Sequence, residues 1–168
     1  MAMGSRRTTP TAAATGAVGV VRRDPMAMKP FAGYNFADYW SHWIDVGANL
    51  KSPPKIFHVN WFRQDGAGKF LWPGFGENLR VLRWIIDRCN GAAGARPTAI
   101  GELPEPADLD VRGLNLAPGA LDELLSVDPA LWRAEFEGIA AYLAEFGGRV
   151  PPALTAQLAD SLARVAAK

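Results

Sequence analysis

The chain has 168 residues, of which 49% are apolar and 21% charged, and its formal net charge at pH 7 is +1. These values indicate a globular domain large enough to bury a core, and they exclude a disordered chain and a strongly basic nucleic-acid-binding protein. A single cysteine, Cys89, excludes an internal disulfide, and no apolar run approaches the roughly 18 residues that span a membrane. We therefore expect a cytoplasmic protein that binds neither nucleic acid nor membrane.

The start of the chain shows no apolar periodicity. Residues 1–17 are rich in Ala, Thr and Gly, which is typical of a flexible tail. Val18 to Arg22 is a short β-branched run that ends before Asp24-Pro25, and it predicts a strand.

A first helix is predicted after Asn35, whose side chain suits an N-cap. We expect this helix to reach Val46 and to stop at Gly47, a residue that favours helix C-termini. Aromatic residues recur in it at helical spacing and are expected to face the core: Phe36, Trp40 and Trp43.

The central stretch, Asn60 to Asn78, places aromatic residues among glycines without a single period: Trp61, Phe62, Phe70, Trp72 and Phe75. Asp65 to Gly68 has the composition of a tight turn, because glycine readily adopts positive φ. The flanking segments, Lys55 to Phe62 and Lys69 to Trp72, are therefore predicted to form an aromatic hairpin.

Phe75 stands between Gly74 and Gly76, which have no side chains to pack against it. We interpret the ring either as a plug for the core of the protein or as one wall of a slot for a flat ligand. Gly76, Glu77 and Asn78 open the next helix, where free N–H groups and the helix dipole favour electronegative ligand atoms.

This second helix is predicted to end at Cys89. Its apolar positions share one face, which is expected to be buried: Leu79, Leu82, Ile86 and Cys89. The Cys89 thiol is accordingly expected to be structural rather than reactive.

The rest of the chain is predicted to be mostly helical. Gly91 to Gly113 is a proline-interrupted loop with a short strand at Thr98 to Ile100. Three helices follow: one over Pro118 to Leu125, one from Pro129 to Gly147 with Asp128 as its N-cap, and one from Pro152 onward. The predicted class is α+β: a mixed sheet fragment with an aromatic hairpin, followed by a mostly helical C-terminal half.

No catalytic or metal-ligating residue is assigned from the sequence. A P-loop requires G-x-x-x-x-G-K-[ST], but Phe70 follows Lys69, so the hydroxyl that would bind Mg²⁺ is missing. His42 and His58 belong to no ligand-spaced cluster, and no Ser/His/Asp set or pair of carboxylates stands out.

Two segments, Phe57 to Arg63 (F-H-V-N-W-F-R) and Lys69 to Asn78 (K-F-L-W-P-G-F-G-E-N), closely resemble the guanine-binding stretch of GTP-dependent phosphoenolpyruvate carboxykinase. The resemblance extends upstream through T-A-A-A at Thr11, R-D-P-M-A-M at Arg23 and P-F-A-G-Y-N at Pro30. It covers nearly the whole chain but only the C-terminal part of a larger carboxykinase fold.

The resemblance implies roles for individual residues. Phe62 and Phe75 would sandwich a guanine base, Phe70 would line its pocket, and Asn78 would read the base edge. Gly76 and Glu77 complete the implied nucleotide-binding set. Part of the mobile lid of the family is matched by four residues: Thr11, Ala12, Ala13 and Ala14.

The division of the chain follows from this resemblance. Residues 1–17 are expected to form a flexible tail and partial lid loop. Residues 18–168 are expected to form the C-terminal nucleotide-binding part of a carboxykinase domain.

The implied activity is that of a lyase and decarboxylase of gluconeogenesis. It converts oxaloacetate and GTP to phosphoenolpyruvate, GDP and CO2 with Mn²⁺ or Mg²⁺, in an enzyme expected to be monomeric. The family's phosphate loop, metal ligands and substrate-binding residues belong to a missing N-terminal part, which is the expected partner besides guanine nucleotide. We therefore expect this chain alone to be inactive.

Two alternatives remain for the chain by itself. It is either a guanine-nucleotide-binding module without catalysis, or a truncated fragment whose exposed apolar surface causes aggregation or self-association.

Overall fold

Five α-helices and one two-stranded antiparallel sheet make up the regular structure of the described residues, which are 23–25, 28 and 31–167 in this computed structural model. The predicted strand at Val18 to Arg22 and the predicted lid residues Thr11 to Ala14 lie outside the described residues. Within that part of the chain, no helix is both long and apolar enough to cross a membrane.

The helices and strands alternate with long irregular segments. In chain order they are α1 (Phe36–Asn49), α2 (Asn78–Cys89), β1 (Arg96–Thr98), β2 (Gly101–Leu103), α3 (Ala120–Leu124), α4 (Pro129–Ala144) and α5 (Pro152–Ala166). The strands pair with Arg96 opposite Leu103 and Thr98 opposite Gly101. The α+β class is confirmed, with the sheet close to the short strand predicted at Thr98 to Ile100.

Side-chain caps fix the starts of α1 and α4, as predicted. The Ala37 amide donates to Asn35 Oδ1 at 2.9 Å, and the Ala130 amide donates to Asp128 Oδ1 at 2.8 Å. The predicted end of α1 is wrong, because the helix continues through Gly47 to Asn49. The last turn closes when the Leu50 amide donates to the Gly47 carbonyl at 3.3 Å.

The described residues fall into two compact units. The first comprises residues up to 54 together with 133–163. Trp40, which is fully buried, lies at its centre, and its ring meets those of Phe146 and Tyr142 edge-on at centroid distances of 4.8 and 6.3 Å. Other members of this core are Phe36, Ala37 and Leu143.

The prediction of a core position for Trp43 is wrong, because its side chain is 41% exposed. The buried residues of α1 are confined to its first five positions, from Phe36 to Trp40. The core of this unit therefore covers the beginning of the aromatic stripe and leaves its end in solvent.

The second unit comprises residues 55–132 and 164–168. Trp84, Leu109 and Leu125 form its buried core, against which Phe57, Ile85 and other residues pack. On α2 it is thus Trp84 that is buried. The predicted buried face of this helix is wrong, since all four of its residues are exposed: Leu79, Leu82, Ile86 and Cys89.

The predicted face of α2 is exposed because the loop after α2 and helix α3 pack on the opposite side of the helix, where Trp84 lies. The predicted apolar stripe is therefore left uncovered in this unit, and the expected buried thiol of Cys89 lies at the surface.

Replacement of Trp40 by Ala is expected to lower the free energy of unfolding by about 3–5 kcal/mol, because it removes a buried indole and leaves a cavity. Trp43→Ala on the same helix is the control and should cost less than about 1 kcal/mol. Urea unfolding followed by circular dichroism measures both variants. An equal decrease in the free energy of unfolding for both variants would contradict a core position for Trp40 and an exposed one for Trp43.

Candidate functional site

The aromatic segment begins with a hairpin that is shorter than predicted. Its pairing is one bridge, between Gln64 and Phe70, flanked by hydrogen bonds from the Leu71 amide to the Arg63 carbonyl and from the Asp65 amide to the Lys69 carbonyl, each at 2.9 Å. No strand forms over residues 55–62, so that part of the prediction is wrong.

A local hydrogen bond favours a turn at the end of this segment. The Phe62 amide donates to Asn60 Oδ1 at 3.0 Å, which satisfies this amide without a strand partner. Residues 61 and 62 accordingly form a turn.

The predicted tight turn is confirmed. Asp65 Oδ1 accepts from the Ala67 and Lys69 amides, at 2.9 Å in both cases. Gly68 adopts a φ of 81°, the left-handed region that favours glycine. The aspartate side chain and the glycine backbone together reverse the chain.

Phe62 and Phe70 are brought together by this hairpin. Their ring centroids lie 6.0 Å apart at an interplanar angle of 64°, and both side chains are exposed. Edge contacts of this geometry are favourable between aromatic rings. The hairpin therefore presents two phenyl rings to solvent rather than to the core.

The exposure of Phe75 decides between its two interpretations. The side chain is 93% exposed, so the ring is not a plug for the core. Gly74 precedes it with a φ of 130°, and a 3₁₀ turn over Phe75–Glu77 leads into α2. Among the described residues, no other aromatic ring contacts Phe75, which leaves both of its faces accessible.

A partly buried hydrogen bond joins the loop to the start of α2. Trp72 is 6% exposed, and its indole Nε1 donates to Asn78 Oδ1 at 2.9 Å. The indole ring of Trp72 also lies 6.5 Å from that of Trp61, which precedes Phe62 in the hairpin. Trp72 thus links the two segments that carry the predicted site residues.

Sequence reasoning missed this role of Trp72. The available signal was that a buried indole N–H needs an acceptor, and that Asn78 lies only six positions away.

Of the predicted site residues Gly76 and Glu77, the first is accessible to a ligand and the second is engaged by another side chain. A Cβ added at Gly76 would meet no atom within 4 Å, so the backbone there is open to approach. The Glu77 carboxylate instead accepts from Arg80 Nε at 2.7 Å and caps no amide of α2. Arg80 also donates to the Asp110 carbonyl at 2.7 Å.

Asp110 extends this charged cluster to Arg112. Two hydrogen bonds from the Arg112 guanidinium, at 2.8 and 2.7 Å, hold the pKa of the Asp110 carboxyl well below its usual range. Asp110 therefore stays negative opposite Arg80, which holds Glu77.

Arg63 anchors the hairpin to the end of α3. Its guanidinium donates to the carbonyls of Leu124 and Ser126 at 3.1 and 3.0 Å, and to the Ser126 hydroxyl at 2.8 Å. Carbonyls at a helix C-terminus lack intrahelical partners, and a cation there is favoured by the helix dipole. Arg63 thereby fixes the backbone next to Phe62.

The described residues provide no metal site. No group of three or more His, Cys, Asp or Glu residues within them is placed to hold an ion. A cavity of about 320 Å³ lies in the first unit, lined by Ser41, Asp45 and Arg149 among others, and it contains none of the predicted site residues.

Comparison with known proteins gives consistent matches over most of the chain. A family model described as the phosphoenolpyruvate carboxykinase C-terminal P-loop domain matches residues 1–164. A protein of Anaeromyxobacter dehalogenans (strain 2CP-C) named phosphoenolpyruvate carboxykinase (GTP) is 48% identical over 157 residues, covering 94% of this chain and 26% of the relative.

Two further relatives have the same name. That of Paenarthrobacter aurescens (strain TC1) is 50% identical over 150 residues, covering 88% of this chain and 25% of the relative. That of Treponema pallidum (strain Nichols) is 51% identical over 148 residues, covering 86% and 23% respectively. The chain thus spans about a quarter of the length of the curated relatives it matches.

The P-loop in the description of the family model has no counterpart in this sequence. The one Gly-Lys pair of the chain, Gly68-Lys69, is followed by Phe70 and lies in the hairpin turn.

Removal of the Arg63 side chain is expected to lower the free energy of unfolding by about 1.5–3 kcal/mol, because three hydrogen bonds to a charged group are lost. Arg83→Ala is the control: this arginine is exposed, and its ion pair with Asp87 on α2 is worth about 0.5 kcal/mol or less. Chemical unfolding of both variants provides the comparison, and a loss for Arg63→Ala no larger than the control value would show that the anchor does not stabilise the protein.

Proposed function

The chain belongs to the GTP-dependent phosphoenolpyruvate carboxykinase family, and we propose that it supplies the guanine-binding part of such an enzyme. The observation that carries this proposal is the almost complete exposure of Phe75, three positions before Asn78 at the start of α2. An exposed ring next to an amide side chain offers a stacking face and a hydrogen-bonding group together, which is what a purine base requires.

The proposed pocket has three aromatic side chains and one polar side chain that hydrogen-bonds to the base. Phe75 and Phe62 stack on the base, Phe70 supports Phe62 from the side, and Asn78 meets the base edge. Stacking on an aromatic side chain contributes about 1–3 kcal/mol per base and does not distinguish guanine from adenine. The selection of guanine therefore falls to Asn78, since an unpaired polar group on the wrong base costs about 1–3 kcal/mol.

The start of α2 supplies the remaining contacts of the pocket. The open backbone at Gly76 leaves room for electronegative atoms of the nucleotide, whereas the Glu77 and Asn78 backbone amides already donate to the Gly74 and Phe75 carbonyls. Glu77 acts by holding Arg80 at the edge of this region.

We further propose that residues 18–168 form the C-terminal nucleotide-binding part of a carboxykinase domain. Residues 1–17 then form a tail that includes part of a lid, at Thr11 to Ala14. A lid must open for product release, and for that reason it is drawn from weakly packed segments.

The activity proposed for the complete enzyme is the conversion of oxaloacetate and GTP to phosphoenolpyruvate, GDP and CO2, a cytoplasmic decarboxylase reaction of gluconeogenesis. Mn²⁺ or Mg²⁺ would neutralise the developing charge of phosphoryl transfer. The described residues do not fit a site for that metal, since they contain no cluster of ligands. The proposed contribution of this chain is to bind and orient the nucleotide base.

The exposed apolar face of α2 supports the proposal that another protein segment binds this chain. Leu79, Leu82 and Ile86 lie at helical spacing on this face and are exposed. Apolar stripes of this kind mark contact surfaces. We propose that the N-terminal part of the enzyme is that partner, and that the chain without it is an inactive fragment or a simple guanine-binding module.

The purified chain alone is expected to show no carboxykinase turnover. Phosphoryl transfer depends on metal ions and cationic groups around the phosphates, for which an aromatic slot is no substitute. The measurement is phosphoenolpyruvate formation from oxaloacetate with GTP and Mn²⁺, with a full-length relative as the positive control. Turnover that requires both GTP and Mn²⁺ would contradict the proposed division of roles.

Replacement of Phe75 by Ala is expected to weaken GDP binding by about 5- to 150-fold, because one stacking face of the base is lost. Phe31→Ala is the matched control, since Phe31 is 82% exposed but lies in the first unit. Amide NMR titration of the full chain with GDP measures both affinities. Equal affinities of the two variants would exclude Phe75 from the site.

A further inference from the structure

We propose that Trp72 determines the selectivity of the site for guanine by fixing the orientation of the Asn78 side-chain amide. This inference rests on the proposed function, because it concerns the same nucleotide site. It assigns to a buried tryptophan a positioning role that is separate from stacking.

The chemistry of the two side chains settles the orientation of the amide. An indole N–H can only donate a hydrogen bond, so the atom 2.9 Å from Trp72 Nε1 must be the Asn78 oxygen. The amino group Nδ2, with its two donors, then points away from Trp72. Among the described residues, no acceptor is bonded to this amino group, which leaves it available to a ligand.

The indole is itself held in place. Trp72 is buried at 6% exposure and packs at a tilt against Trp61, with centroids 6.5 Å apart. Its backbone follows the hairpin directly, and the Leu71 amide donates to the Arg63 carbonyl at 2.9 Å. The direction of the indole N–H is therefore set before a nucleotide arrives.

Asn78 and the exposed ring of Phe75 occupy the same side of one continuous turn. They are three positions apart, and the backbone N–H of Asn78 donates to the Phe75 carbonyl. Side chains at this spacing in a 3₁₀ turn lie above one another. A base stacked on Phe75 thus has its edge close to the Asn78 amino group.

An amino group at this point favours guanine. Guanine has an acceptor, O6, at the position where adenine has a donor, its N6 amino group. The fixed Nδ2 donates to O6 but meets N6 donor to donor. A half-turn of the amide would reverse this preference, and the hydrogen bond from Trp72 is what prevents the half-turn.

The test compares dissociation constants for GDP and ADP in the full chain, measured by amide NMR titration. The wild type is expected to prefer GDP by about 5- to 150-fold. Trp72→Phe keeps an apolar ring but removes the indole donor, so the amide can turn and the preference is expected to fall toward one. The matched control is Trp84→Phe: Trp84 is equally buried at 6%, and its indole nitrogen has no hydrogen-bond acceptor among the described residues.

A second variant tests the same point without altering a tryptophan. Asn78→Leu keeps the approximate size of the side chain but removes the Nδ2 donor, so the preference for GDP over ADP is expected to fall toward one.

The outcomes separate this inference from the proposed function. Preserved guanine preference in folded Trp72→Phe, or in Asn78→Leu, would overturn the inference while the guanine site stands. An equal loss of preference in Trp84→Phe would show a general packing effect and also overturn it. A wild type without preference for GDP would overturn the proposed function, and the inference with it.

Discussion

Carbonyl groups at the end of α3 are the constraint around which the second unit is arranged. Arg63 of the hairpin and Arg96 of β1 converge on them: Arg63 donates to the carbonyls of Leu124 and Ser126, and Arg96 donates to that of Leu125 at 2.7 Å. This short helix cannot satisfy its last carbonyls internally. Two charged donors do so from outside, and they bring the hairpin loop and β1 to a common point.

Arginine takes a similar role elsewhere in this unit. Arg88 donates to the Ala93 carbonyl at 3.0 Å, and Arg164 donates to the Ala99 carbonyl at 3.1 Å. The described sheet has only two short strands, so few loop carbonyls find partners in a ladder. Charge-assisted bonds from side chains replace those partners and are stronger than neutral ones.

The candidate site combines a fixed layer with an exposed one. Trp72 is buried and hydrogen-bonded to Asn78, whereas Phe75 and the hairpin rings Phe62 and Phe70 are exposed to solvent. Exposed rings contribute less to folding than buried ones, because they remove less apolar surface from water. Their exposure on a hairpin anchored by Arg63 fits the stacking role that we propose for them, because stacking uses ring faces that a core would cover.

Helix positions and turn chemistry followed from the sequence alone. The N-caps Asn35 and Asp128 and the tight turn at Asp65 are local, since each depends on a side chain and amides within four residues. The resemblance of Lys69 to Asn78 was likewise sufficient to indicate the family. These features require no knowledge of what packs against them.

The tertiary structure alone decided which surfaces are covered and which way polar groups point. Periodicity showed that Leu79, Leu82 and Ile86 share a face, and that Trp43 continues the stripe of Trp40. Burial, however, depends on whether another segment covers that face, and in these cases none of the described residues does so. The orientation of the Asn78 amide likewise depends on where the Trp72 donor lies in space, because both ends of an amide have the same size and differ only in their hydrogen-bonding partners.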